Sequence, residues 1–89
     1  MKEPYLEVTF RHGRPIAAYY YLPRESNQKS ARTRRVEAGL VIDFTADGQA
    51  IGIEITTPGK VSLAALNAVL QELGHALASQ ADLAPVLAA

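Results

Sequence analysis

The sequence predicts one small α+β domain over residues 1–89, a four-stranded antiparallel meander with one main C-terminal helix on one face and room for a second short helix beyond it. Three observations predict it. Apolar and polar residues alternate through Leu6–Phe10, Leu40–Phe44 and Ala50–Ile55, the period of a half-buried strand. Asp47-Gly48 stands between the last two of these runs, a strong hairpin signal. After Ser62 the apolar spacing changes to three and four, in Leu63, Leu66, Leu70, Leu73 and Leu77, which is one stripe of an amphipathic helix.

The elements follow in chain order. Leu6–Phe10 is the first strand, and His12-Gly13-Arg14-Pro15 is a turn in which glycine supplies the permissive backbone. Ile16–Leu22 is a second strand, rich in aromatic residues and apolar on both faces, so it belongs inside the sheet. Pro23 ends it, and the polar, aperiodic segment that follows is the longest loop. Arg32–Thr45 reads as one long strand interrupted near Gly39, where a glycine suits a bulge or a close backbone approach. Ala50–Thr56 is the fourth strand, and Thr57-Pro58-Gly59-Lys60 leads out of the sheet.

Ser62 is a fitting helix N-cap, with Val61 placed to pack on Leu66. Gly74 marks the expected stop, which leaves Leu77 in a connector, although the stripe alone would carry the helix to Leu77 or Ala78. Ser79 with Asp82 offers a second cap for a short helix from Gln80. The alanine-rich end reads as a helix former or a frayed tail.

The apolar pattern also sets a register. With Asp47-Gly48 as a two-residue loop, Phe44 faces Ile51, Ile42 faces Ile53 and Leu40 faces Ile55, all on one side. A loop of three residues, Ala46–Gly48, would throw the two apolar sets onto opposite faces. The other side then holds Val41 across from Glu54 and Asp43 across from Gly52. The leucine stripe of the helix is the natural cover for the Ile/Phe side.

Composition narrows the function classes. The chain has 89 residues, too few for two cores, and 48% of them are apolar, enough for one. There is no cysteine, hence no disulfide framework and no thiolate chemistry, which fits a cytoplasmic location. The N-terminus has no apolar signal-peptide core, and no run approaches the roughly 20 apolar residues of a membrane span. Net charge is zero but split: residues through Glu37 carry eight basic and four acidic side chains, and the remainder one basic and five acidic. Such a dipolar chain suits charge-complementary packing with a partner or a second copy.

Chemistry has few candidates. Asp43 and Glu54 share a sheet face and could serve as an acid–base pair or a divalent-metal site, yet their neighbours are valine and glycine, as on a solvated or partner-facing surface. His12 and His75 lack zinc spacing, and no nucleophile elbow or phosphate loop is present, so neither a metal nor a cofactor is expected. Lys29, Arg32, Arg34 and Arg35, with Arg24 nearby, form a basic run that could meet phosphates, and Tyr19, Tyr20 and Tyr21 could stack on bases. However, Arg32 and Arg34 share a strand face while Arg35 points the other way, and arginines also guard sheet edges against aggregation. Tyrosines are more often core and interface residues than stacking platforms.

The stretch GLVIDFTADGQAIGIEI, preceded by AAYYYL and followed by VSLAALNAVLQELG, resembles a small bacterial family of domains of unknown function, DUF 2283. Gly39, Asp43, Gly48, Gly52, Ile53, Glu54 and Ile55 match its hairpin pattern, with Phe44 in the aromatic position, and the likeness runs from Ile16 to Gly74. VTFRHGRPIAAYYY departs from the family's N-terminal strand by lacking its acidic residues. The resemblance implies a small antiparallel meander with one or two helices, no established activity and, in some members, an antitoxin-side role beside a small toxin-like protein.

The leading expectation is therefore a non-catalytic interaction module, a homodimer or the partner of another small protein, whose surface draws on Tyr19, Tyr21, Arg32, Arg34, Arg35, Asp43 and Glu54. Nucleic-acid binding through Arg32, Arg34, Arg35 and Lys29 is the alternative, and an enzyme built on Asp43 and Glu54 comes third. No membrane partner is expected.

Overall fold

The computed structural model describes residues 3–37 and 39–87. Its strands are β1 (Tyr5–Arg11), β2 (Arg14–Tyr21), β3 (Arg32–Glu37), β4 (Leu40–Phe44) and β5 (Ala50–Ile55), followed by a 3₁₀ turn at Pro58–Lys60 and helices α1 (Leu63–Glu72) and α2 (Ala84–Leu87). The class is α+β with an antiparallel sheet and one main helix, as expected, but the sheet has five strands in the order β1-β2-β5-β4-β3.

Two corrections follow. The segment read as one long strand is a hairpin: Glu37 pairs with Leu40, and the chain reverses there with Gly39 at φ +83°. Only glycine adopts that left-handed backbone without strain, so Gly39 is a turn residue rather than a bulge. Ala38 lies outside the described residues. The sheet is also not a simple meander, because β2 pairs with β5 and the loop after Leu22 carries the chain across to the far edge. The apolar β5 thereby takes the centre, and the arginine-rich β3 takes an edge where its charges stay in water.

The β4–β5 hairpin keeps the expected register in its body, with Leu40 opposite Ile55, Val41 opposite Glu54, Ile42 opposite Ile53 and Asp43 opposite Gly52. Its loop differs. Thr45 N–H donates to the Gln49 carbonyl at 2.9 Å, Gly48 N–H donates to the Thr45 carbonyl at 3.0 Å, and Gly48 has φ +93°, giving a three-residue loop. Phe44 then pairs with Ala50 instead of Ile51, and Ile51 becomes the extra residue of a bulge. That one-residue shift restores the apolar phase which a three-residue loop alone would have inverted. The two-residue loop with positive φ at both positions occurs at His12 (+52°) and Gly13 (+77°) instead, closing β1 onto β2.

The core lies between one sheet face and the helices. Tyr20, Leu22, Leu40, Ile42, Ile53 and Ile55 meet Leu66, Val69, Leu70, Leu83 and Val86 there. Each such aliphatic side chain contributes about 1.5–3 kcal/mol by leaving water. The Ser62 hydroxyl caps α1 by accepting from Ala65 N–H at 3.0 Å. At the other end Gly74 turns left-handed (φ +76°), with Gly74 N–H on the Gln71 carbonyl and His75 N–H on the Leu70 carbonyl. This Schellman arrangement ends the helix before the stripe is used up and leaves Leu77 60% exposed.

The chain end is not frayed as far as Leu87, since Leu83 and Val86 are buried in the core. Ser79 and Asp82 cap each other's backbone N–H groups at 2.8 and 3.1 Å. Residues 79–86 run as successive i→i+3 hydrogen bonds, so regular helix begins at Ala84 rather than Gln80. Ala88 and Ala89, also part of the expected tail, lie outside the described residues. Among the described residues no helix is long and apolar enough to cross a membrane.

Candidate interaction face

Strand alternation assigns the face opposite the helices. Across it run two rows, Tyr5–Tyr21–Gly52–Asp43–Thr33 and Glu7–Tyr19–Glu54–Val41–Arg35, in the order β1, β2, β5, β4, β3. Among the described residues no helix packs on this side. Of the residues expected from sequence, Tyr19, Tyr21, Asp43, Glu54 and Arg35 are brought onto it together.

The aromatic groups hold one another. Tyr21 stacks on Tyr5 with ring centroids 4.5 Å apart and planes 14° apart, and it meets Tyr19 edge-on at 4.6 Å. The Arg24 guanidinium lies 5.4 Å from the centre of the Tyr21 ring, a cation–π contact. The Tyr21 hydroxyl donates to Glu7 at 3.2 Å. Tyr19 lies over Gly52, where a Cβ would fall inside its ring, and its hydroxyl donates to Asp43 Oδ2 at 2.6 Å. Burial, then the Asp43 hydrogen bond, pushes the Tyr19 phenol well above its ordinary pKa; burial and Glu7 raise Tyr21. Both phenols are thus held as protonated donors.

Asp43 therefore has a structural role that the sequence did not reveal. Its short contact is with a phenol, while Glu54 stands exposed opposite Val41. Among the described residues no three His, Cys, Asp or Glu side chains gather as a metal site requires.

The basic run is divided. Arg34 lies on the helix side, 3.0 Å from Glu72 Oε1 and with its guanidinium 5.6 Å from the centre of the Phe44 ring. Arg32 joins Arg34, Thr33, Phe44 and Gly48 around an open groove of about 340 Å³. Arg35 is on the tyrosine face, Lys29 is exposed in the loop, and Tyr20 is buried in the core. The arginines and the three consecutive tyrosines do not form one surface.

Sequence reasoning missed Tyr5, Glu7 and the covering role over Gly52. The phase of Leu6, Val8 and Phe10 carried the signal for the first two, since it puts Tyr5 and Glu7 on the other face with Tyr19 and Tyr21. Comparison of the chain with family models, curated proteins and solved structures gives no match.

Proposed function

We propose that the protein is a non-catalytic interaction module that docks another small protein on its open tyrosine face. The observation that carries this is the Tyr5–Tyr21–Tyr19 cluster, ordered by ring contacts and hydrogen bonds on a sheet face that no helix covers among the described residues. Tyrosine is enriched at the anchors of protein interfaces, and rings already fixed lose little entropy on binding. The likeness of the hairpin to DUF 2283, some of whose members sit beside a small toxin-like protein, agrees with this reading.

Nucleic-acid binding is the second reading, favoured by the groove between Arg32, Arg34 and Phe44. Glu7, Asp43 and Glu54 on the tyrosine face oppose phosphates there, so the aromatic cluster cannot assist that groove.

The test compares what wild type and a Tyr5→Glu/Tyr21→Glu variant retain from a lysate treated with nuclease. A protein held by wild type, indifferent to nuclease and lost from the variant supports the module. Equal retention by both sinks it, and nuclease-sensitive retention lost on Arg32→Ala/Arg34→Ala moves the assignment to nucleic acid.

A further inference from the structure

We infer that β1 is the edge at which a second copy of this chain adds to the sheet, antiparallel about a two-fold axis at Thr9, with Glu7 of each copy facing Arg11 of the other.

The two sheet edges are built differently. β3 carries Arg32, Arg34 and Arg35 and is irregular between Arg35 and Glu37, the charges and distortion that discourage strand addition. β1 is seven residues long, and Glu7 is its only charge before Arg11. Its hairpin also carries exposed apolar side chains: Tyr5, Phe10 and Ile16 are 47%, 52% and 47% exposed. β2 meets β5 only from Ala18 onward, so the hairpin end from Thr9 to Ala17 stands clear of the rest of the sheet, with one flank of β1 open along its length.

Symmetry leaves few registers. Leu6 and Val8 face the helix side and Tyr5 and Glu7 the tyrosine side. The irregularity after Thr9 has its extra residue, Ile16, on β2, so alternation along β1 sets Phe10 with the first group and Thr9 and Arg11 with the second. An antiparallel copy must match these faces, so the axis falls on a single residue. An axis at Glu7 sets the two Glu7 carboxylates against each other. An axis at Val8 leaves Glu7 opposite threonine. At Thr9, each Glu7 meets the other copy's Arg11, each Phe10 meets Val8, and the two threonines face one another on the axis. All three are stabilising cross-strand pairs, and the Phe10–Val8 pair covers the most exposed apolar side chain of the edge. Glu7 is already aligned on this face by the Tyr21 hydroxyl. Tyr19 and Tyr21, on β2, lie off the contact and Tyr5 only borders it, so the tyrosine face remains available on both copies.

Sedimentation equilibrium over a concentration series tests the pairing. Wild type should approach twice the chain mass. Arg11→Glu, which turns both symmetric attractions into repulsions, should weaken the dimer roughly tenfold or more, with unchanged circular dichroism. The exchanged variant Glu7→Arg/Arg11→Glu should recover it. Because the chain has no cysteine, Thr9→Cys should cross-link to itself on oxidation while Thr33→Cys on the other edge should not. A monomer at every concentration, or a dimer indifferent to both charge variants, overturns the inference. A monomer that still retains its partner through the tyrosine face overturns it and leaves the interaction module standing.

Discussion

The hydroxyl of Tyr19 on β2 reaches the carboxylate of Asp43 on β4 at 2.6 Å by passing over Gly52 on the strand between them. That one relationship accounts for three features of the sequence. Asp43 is present as an acceptor, Gly52 because any side chain would occupy the ring's place, and Tyr19 because its length spans one strand. It joins three neighbouring strands on the face opposite the helices.

Gly52→Ala should therefore displace the Tyr19 ring and break the bond to Asp43, with a net loss of about 1 kcal/mol. In a Tyr19→Ala background the sign should reverse, because alanine in a strand interior is favoured over glycine by about 0.5–1 kcal/mol. Urea unfolding of the four chains of this cycle measures the coupling. Additive effects would mean that the ring and the glycine are independent.

The same phenol gives a pH dependence. Tyr19 has a higher pKa folded than its unfolded value of 10.0, and Tyr20 and Tyr21 shift the same way through burial. Above that value the unfolded chain loses phenolic protons which the folded chain keeps, so stability is full below it and falls as pH rises further. Melting temperature should hold steady from neutral pH to about pH 9.5 and then decline. Tyr19→Phe should lessen the decline without abolishing it, since Tyr20 and Tyr21 remain. An unchanged slope in that variant would show that the Tyr19 phenol keeps no proton that the unfolded chain loses.

How much of this was legible follows from how local each determinant is. The pairing of Leu40–Asp43 with Gly52–Ile55 was readable because a slip of one residue would expose every isoleucine. Its loop was not, since a bulge at Ile51 and a three-residue loop cancel, and together they leave the same apolar phase as a two-residue loop. The stop at Gly74 was readable from a single residue. The fold-back at Gly39 was not, because Arg32–Glu37 and Leu40–Phe44 share one alternation and a continuous strand satisfies it equally. At the candidate face, phase puts Asp43 and Glu54 on one side from sequence alone. The pairing of β2 with β5, which sets Tyr19 beside Gly52, is a long-range choice that no local pattern states.

Gly39→Ala tests the fold-back. The backbone at φ +83° disfavours any Cβ, and this one would also lie 3.3 Å from the Thr57 side chain, so a loss of about 1–3 kcal/mol is expected. Gly59→Ala is the control. Its Cβ meets nothing within 4 Å, and it should stay within about 0.5 kcal/mol of wild type. Chemical denaturation of both variants decides the matter, and equal behaviour would return Gly39 to the status of a spacer.

Asn67 holds the C-terminal segment onto α1. Its amide nitrogen donates to the Ala78 carbonyl at 3.0 Å, and its amide oxygen accepts from Ala78 N–H at 2.7 Å, satisfying both backbone groups of a buried residue. Removing the side chain strands both groups, so Asn67→Ala should cost about 2 kcal/mol. The loss should be local first. Leu83 and Val86 reach the core through this segment, and releasing Ala78 frees them to open together while the sheet stays formed. Hydrogen exchange should then show faster exchange across residues 75–86 with little change in β4 and β5. Limited proteolysis should cut in the same stretch. A uniform increase in exchange over the whole chain would mean that the segment unfolds only with the sheet, and that Asn67 contributes to a single cooperative unit rather than to a clasp.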